Sequence, residues 1–221
     1  MAQLLKPFSS NQTCYLSYSK YETIAKQYLG EDSPSLIELE LDISMTFQNT
    51  HFLLNYPRPT MPDYIEVVCI HCRKGRPLPK DLEEFVSESN EGLILFSLGS
   101  VFRNKDMPDE TRKAILNDVL AHSNTKLFIT HGGMLSTQEA LYHGVPMVGI
   151  PLFFDQDINI NRYVELGVAV FVEVLNLKET DLSDAINIVL NNPEYGVNIK
   201  TLSTIFRDQP QSGIDTAVFW S

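Results

Sequence analysis

An α/β fold built on a parallel, doubly wound sheet is what this chain predicts, and three observations predict it. From residue 93 onward, short apolar runs alternate with longer amphipathic stretches, the pattern of strand–helix units whose strands lie parallel. Glycine and proline punctuate the joints between them. Hydrophobic residues make up 43% of the 221, ample for a core of that size.

Taken in order, residues 1–34 are polar and mixed, with weak helical character over 21–29 that Gly30 and Pro34 break. Residues 36–51 alternate loosely and could hold a strand, and 56–62, with three prolines, form an extended connector. A second connector begins at 77–79 and a short helix at 81–87. The pattern then sharpens into strand 93–98, helix 108–122, strand 126–130, helix 136–143, strand 146–151, helix 156–166 and strand 168–174, with two helices after Lys178. Pro108 suits a first helical turn, Gly167 a helix stop and Pro193 a new helix start. No internal repeat or low-complexity tract interrupts this order.

Charge and composition exclude some classes. The net charge is −11 and the sequence pI about 4.8, with no cluster of Lys and Arg, so nucleic acid is not an expected partner. No run of roughly 20 apolar residues could span a bilayer, and the opening MAQLLKPFSS lacks the apolar centre of a signal peptide.

The chemistry concentrates in 131–156, HGGMLSTQEALYHGVPMVGIPLFFDQ. An apolar strand, KLFIT, delivers His131, Gly132 and Gly133 to its carboxyl end, and Ser136, Thr137, Gln138 and Glu139 open a helix that Gly144 closes. A glycine turn leading into a helix amino terminus offers unpaired N–H groups and a positive dipole, which attract phosphate. Asp155 and Gln156 follow the next strand, where ligands of open α/β sheets sit, and an acceptor pair there suits sugar hydroxyls. Ser100, after Gly99, ends strand 93–98 at the same side.

This segment resembles the donor-binding signature of the UDP-glycosyltransferases (the UDP-glucuronosyltransferase family), and its STQEA wording resembles the insect branch. Supporting stretches are LILFSLGSVFRNKDMPDETRKAIL from Leu93, FRDQPQSGIDTAVFW from Phe206, FQNTHFLLNYPRPTMPDYIEVVCIH from Phe47 and KGRPLPKDLEEFV from Lys74. The resemblance covers residues 35–220 with several motifs in order. It implies a GT-B-type architecture: a Rossmann-like donor-binding domain at 91–221, reduced by an internal deletion, after a remnant of the acceptor domain and connector at 1–90. It also implies His131, Gly132, Gly133 and Ser136 around the diphosphate, Glu139 on the ribose, and Asp155 and Gln156 on the donor sugar. The co-substrate is then a UDP-sugar, with no further cofactor and no metal; the acceptor is small and lipophilic, and family members could pair as homo- or hetero-oligomers. By family the compartment is the endoplasmic reticulum membrane or lumen; without a signal or membrane helix in this chain, the cytoplasm stays open.

Plainer roles remain for the same residues. His131 could fill a polar gap, Ser136 could be a helix N-cap, and Glu139, three residues later, could complete a capping box. Asp155 and Gln156 could be a solvated loop and a helix cap, and Ser100 a turn residue. Cys69-Ile70-His71-Cys72 gives poor tetrahedral geometry without a second Cys/His pair, so no metal site is expected, and with Cys14 distant no disulfide framework either. The family shows a glycine pair where this chain has Val68-Cys69. The sequon Asn11-Gln12-Thr13 has meaning only on the secretory route.

The main departure from the family lies at 116–122. There the resemblance implies two further strands and a tryptophan-bearing motif that stacks on uracil; here ETRKAIL runs straight into Asn117. Trp220, the only tryptophan, lies too far along to replace it. In a sheet of order 3-2-1-4-5-6, loss of the second and third strands makes the first and fourth neighbours and leaves an apolar edge at 93–98. The family's reaction resembles inversion at the anomeric carbon assisted by a histidine base in the amino-terminal domain. No part of 1–50 resembles that base-bearing segment, and His51 belongs to the connector. No catalytic base is therefore nominated. The resulting readings are a hexosyl transferase impaired in this form, a non-catalytic donor-domain variant, and, less well matched by DQ and FRDQPQS, a nucleotide-sugar epimerase.

Overall fold

The computed structural model describes residues 11–99 and 116–221. The chain divides into two compact units, Met1–Thr46 with Pro62–Ile65, and Phe47–Met61 with Glu66–Ser221. In the smaller unit the weak helix at 21–29 is part of a longer one, α1 (Asn11–Leu29). The stretch read as a strand begins instead with α2 (Leu36–Leu41). Its start is a capping box: the Ser35 hydroxyl accepts from the Glu38 N–H (3.1 Å), and the Glu38 carboxylate accepts from the Ser35 N–H (2.8 Å). Reciprocal capping of two orphan donors outweighs the loose alternation that suggested a strand. Only β1 (Thr46–Gln48) survives as one, in a two-stranded sheet with β2 (Tyr64–Glu66).

The larger unit follows the expected alternation. After α3 (Lys80–Ser87) come β3 (Leu93–Ser97), a helical stretch described over 116–120, and β4 (Thr125–Thr130). Then follow α4 (Met134–His143), β5 (Met147–Gly149), α5 (Gln156–Glu165) and β6 (Ala169–Phe171). Three helices close the chain, α6 (Glu179–Asn191), α7 (Pro193–Arg207) and α8 (Gly213–Trp220), where two were expected. The additional break lies at Pro210, after which the Ser212 hydroxyl caps α8 by accepting from the Asp215 N–H (3.2 Å). Strands β5 and β6 are shorter than their apolar runs; Pro146 and Pro151, which have no N–H to give a ladder, bound the first of them.

All four strands β3-β4-β5-β6 lie in sequence order and run parallel. Strand β3 therefore pairs directly with β4, from Leu93 opposite Thr125 to Ser97 opposite Thr130, as expected if two strands between them are missing. Both faces of the central strands are covered. Phe128 and Met147 point into a core with Leu120, Leu141, Tyr163, Ile199 and Phe206, while Leu127, Ile129, Val148 and Ile150 meet Val172, Ala185 and Val189 on the opposite face. Double coverage explains why β4 reads as a continuous apolar run rather than an alternating one. Strand β3 is different. Leu93 and Leu95 pack toward Leu78, Val86 and Val119, but Ile94 is 41% and Phe96 56% exposed, the half-buried pattern of an edge strand. Among the described residues no helix is long and apolar enough to cross a membrane.

His143 in the last turn of α4 lies 3.0 Å from the Asn117 side-chain oxygen, to which its neutral ring can donate. Burial, with the charges of Arg207 and Arg73 nearby, brings its pKa down from 6.5 to about 4. A histidine depressed in the folded state contributes its stability fully above pH 6.5, and that contribution is lost as pH falls toward about 4, because the unfolded chain takes up the proton first. His143→Gln should therefore flatten the decline in stability across this window, as read from urea midpoints measured at its two ends.

Candidate functional site

The turn between β4 and α4 is set by close packing around small residues. His131, at the end of β4, is buried, and its ring lies between Gly99 and Gly133. A Cβ at either glycine would stand 2.5 Å from a ring atom, so no larger residue fits beside it. Next to it Gly132 takes a φ of +88°, and a Cβ there would meet Ile160 at 2.6 Å and the Gln156 carbonyl at 3.0 Å. Ile160, fully buried on α5, also presses on Gly149 at the end of β5, where a Cβ would stand 2.4 Å from it. One isoleucine thus brings the start of α5 against the β4–α4 turn.

Polar bonds complete the junction. The Asn159 amide donates to the Gly132 carbonyl (3.0 Å) and to the Asp155 carboxylate (2.8 Å), holding Asp155 beside the turn. The Gln156 side-chain oxygen accepts from the Leu152 and Phe153 N–H groups (2.8 and 3.2 Å), which shapes the loop after β5. In that loop Phe154 adopts a φ of +63°, strained for a bulky residue, with its ring exposed. Thr130 accepts from the Gly132 N–H (3.2 Å) through its hydroxyl. Burial lowers the pKa of His131, and the nearby Asp155 carboxylate only partly opposes this. The ring is thus neutral at neutral pH, and its Nδ1 is buried without a partner.

Helix α4 starts earlier than expected, at Met134 with Gly133 as N-cap. Ser136 is therefore not the cap; it lies in the first turn and its hydroxyl donates to the Gly133 carbonyl (3.0 Å). The capping box between Ser136 and Glu139 is consequently not formed. No acidic residue occupies the first turn of α4, so the helix itself supplies no charge against its positive dipole end. Glu139 lies about one turn deeper, buried, with its charge reinforcing that of Arg73. Asp155 is the N-cap of α5 by position, exposed, and its carboxylate bonds Asn159 rather than a backbone N–H. The structure brings His131, Gly132, Gly133, Ser136, Asp155 and Gln156 to one end of the sheet, with Glu139 on the same helix as Ser136. Ser100 lies outside the described residues.

Sequence reasoning missed Asn159, Ile160 and Gly99. The i,i+4 spacing of Asp155 and Asn159 on α5 was a legible signal for the first. Ile160 and Gly99 had no such signal, because their role is a fit between distant segments. The cysteine reading needs a correction: Cys69 and Cys72 are joined in a disulfide. Three residues of separation suffice because the chain turns there, with the Cys72 N–H donating to the Cys69 carbonyl (2.8 Å). His51, in the connector, is buried with its ring edge-on to Phe206 at 5.0 Å.

Over residues 1–116 and 114–221 the chain matches the family described as UDP-glucoronosyl and UDP-glucosyl transferase. It belongs to the UDP-glycosyltransferase family. It is 35% identical over 231 residues to UDP-glucosyltransferase 2 of Dactylopius coccus, covering 90% of this chain and 45% of that protein. UDP-glucuronosyltransferase 2B17 of Mus musculus is 36% identical over 236 residues, covering 91% and 44% respectively. The chain therefore spans less than half the length of these relatives. Among solved structures, the spinosyn forosaminyltransferase SpnP aligns with a TM-score of 0.67 at 16% identity, over 98% of this chain and 67% of that one. Os79 from O. sativa, in complex with UDP and deoxynivalenol-3-glucoside, aligns with a TM-score of 0.53 at 22% identity, over 71% and 48%. The fold is the Rossmann-like α/β fold of GT-B glycosyltransferases.

Gly149→Ala should cost about 1–3 kcal/mol, because its methyl would overpack against a side chain with no room to retreat. Ile160→Val in the same chain should recover part of the loss, so the double mutant should be more stable than the two separate costs add to. Urea unfolding of the four chains of this cycle measures the coupling.

Proposed function

We propose that the larger unit is a UDP-sugar-binding domain derived from a transferase that passes a hexosyl group, glucose or glucuronate, to small lipophilic acceptors. The observation that carries this reading is the neutral His131 ring held between two glycines, beside the latched Asp155 and the amino terminus of α4, whose first turn holds no acidic residue. In this reading the N–H groups of α4's first turn, with His131, Gly132, Gly133 and Ser136, face the diphosphate. There they would stabilise the charge that develops on the leaving group. Glu139 takes the ribose hydroxyls, and Asp155 and Gln156 the sugar. That Os79, which shares the fold, was solved in complex with UDP supports a nucleotide as the ligand. Residues 1–90 are read as a remnant of the acceptor domain and its connector.

We further propose that this chain alone does not turn over. His51 is buried against Phe206, and His131, the histidine beside Asp155, is assigned in this reading to the diphosphate. The family match breaks into two segments that meet at 114–116, next to the point where the tryptophan-bearing motif is missing. An aromatic platform under a base is worth about 1–3 kcal/mol, so its loss should weaken nucleotide affinity roughly ten- to a hundredfold while sparing diphosphate contacts. Calorimetry should find UDP and ADP nearly equivalent, both weakened by Glu139→Ala, and incubation with UDP-glucose or UDP-glucuronate and a phenolic acceptor should yield no product. A strong preference for UDP would mean that another group reads the uracil, and product abolished by His131→Ala would overturn the non-catalytic reading.

A second reading, pairing with further copies or with intact relatives, is favoured by the exposed Ile94 and Phe96 on edge strand β3. Phe96→Lys should leave stability within about 0.5 kcal/mol, as for a surface position, and reduce any self-association seen by sedimentation.

A further inference from the structure

The Cys69–Cys72 pair belongs to no part of the nucleotide-sugar reading, yet its surroundings are those of a reactive site. Both cysteines line a cavity of about 450 Å³ shared with Tyr142, Arg207, Gln209 and Asp215. Cys69 is buried and Cys72 half-buried, so a small molecule entering the cavity meets Cys72 first. Cys69 holds a left-handed backbone conformation, φ +46°, one that cysteine adopts at some cost. Its sulfur lies 3.7 Å from His71 Nε2, whose N–H donates to the Leu135 carbonyl at 3.0 Å. That ring is neutral at neutral pH, since burial lowers its pKa more than the bond to Leu135 raises it.

We propose that Cys69 and Cys72 form a thiol–disulfide exchange site that reacts, through this cavity, with low-molecular-weight thiols and disulfides of the glutathione class. In the oxidising direction the Cys72 thiolate attacks one sulfur of the small disulfide, forming a mixed disulfide and releasing one small thiolate. Cys69, as thiolate, then attacks the Cys72 sulfur, closing the protein disulfide and expelling the second small thiolate. Two protein thiols are oxidised, one small disulfide is reduced to two thiols, and the protons lost by the cysteines pass to the released thiolates. The reverse sequence opens the pair. The state of the pair is tied to neighbouring elements. His71 reaches the first turn of α4, and the start of α8 packs so closely that a Cβ on Gly213 would stand 2.4 Å from the Val68 carbonyl.

The test uses the whole chain in a Cys14→Ser background, equilibrated in mixtures of reduced and oxidised glutathione and read by intact mass after acid quenching. The pair should pass reversibly between dithiol and disulfide across the mixtures, with the change confined to the peptide bearing residues 69–72. Cys69→Ser should stop at a glutathione adduct on Cys72, whereas Cys72→Ser should form its adduct several-fold more slowly, because Cys69 is buried. Gln209→Trp, which narrows the cavity without touching the pair, should slow exchange several-fold. Three results would overturn the proposal. The pair could stay oxidised under excess dithiothreitol with the chain folded, which would make it a structural link. It could stay reduced in oxidised glutathione. Or the reduced chain could take up one equivalent of Zn²⁺ that Cys69→Ser, His71→Ala and Cys72→Ser each abolish and that blocks exchange; the three ligand atoms lie within 4.8 Å of one another, so that result would make this a metal site.

Discussion

The contact on which the rest of the site depends is Ile160 against Gly132 and Gly149. A branched, fully buried side chain on α5 occupies the space that two absent Cβ atoms leave at the ends of β4 and β5. That fit brings Asp155 and Gln156, one strand–helix unit later in sequence, beside His131. Asn159 can then bond the Gly132 carbonyl and the Asp155 carboxylate at once. Interiors packed at crystal-like density do not absorb an added methyl, so the glycines at these positions are steric requirements as much as conformational ones.

The same logic governs His131. Its ring fills the gap between Gly99 and Gly133 and is desolvated enough to stay neutral despite the nearby carboxylate. A neutral ring offers a hydrogen bond without a charge, which leaves the dipole of α4 as the electropositive element of the site. Asp155, held by Asn159 and exposed, keeps an acidic group at the rim. The junction thus separates a region suited to an anion from one suited to hydroxyl groups within a few residues.

A parallel sheet ordinarily needs both faces and both edges managed. Here β4 and β5 are covered on both faces, but β3 has become an edge strand with Ile94 and Phe96 exposed. Family members carry more chain than this one, which spans under half of the relatives compared. The direct pairing of β3 with β4 shows that a strand–helix–strand unit can close across the point where the family match divides. Right-handed crossovers between parallel neighbours make such shortening topologically simple, and its physical consequence is the uncovered apolar edge.

By itself the sequence determined the elements whose signals are local. The alternation from Leu93, the glycine stop at 144 and the proline start at 193 gave the strand–helix order of the larger unit, and the HGG turn with Asp155 and Gln156 gave the end of the sheet where the candidate site lies. Its errors were also local. Ser136 reads as an N-cap by residue type, but two glycines before it let the helix begin at Met134, and the 36–51 alternation concealed a capping box at Ser35 and Glu38. Tertiary structure alone decided which distant residues meet. Gly99 beside His131, Ile160 on two glycines, and Cys69 with Cys72 lining a cavity formed with α7 and α8 are matters of steric fit between segments far apart in the chain. No periodicity or spacing encodes such contacts, because they depend on volumes that exist only once the sheet and its helices have packed.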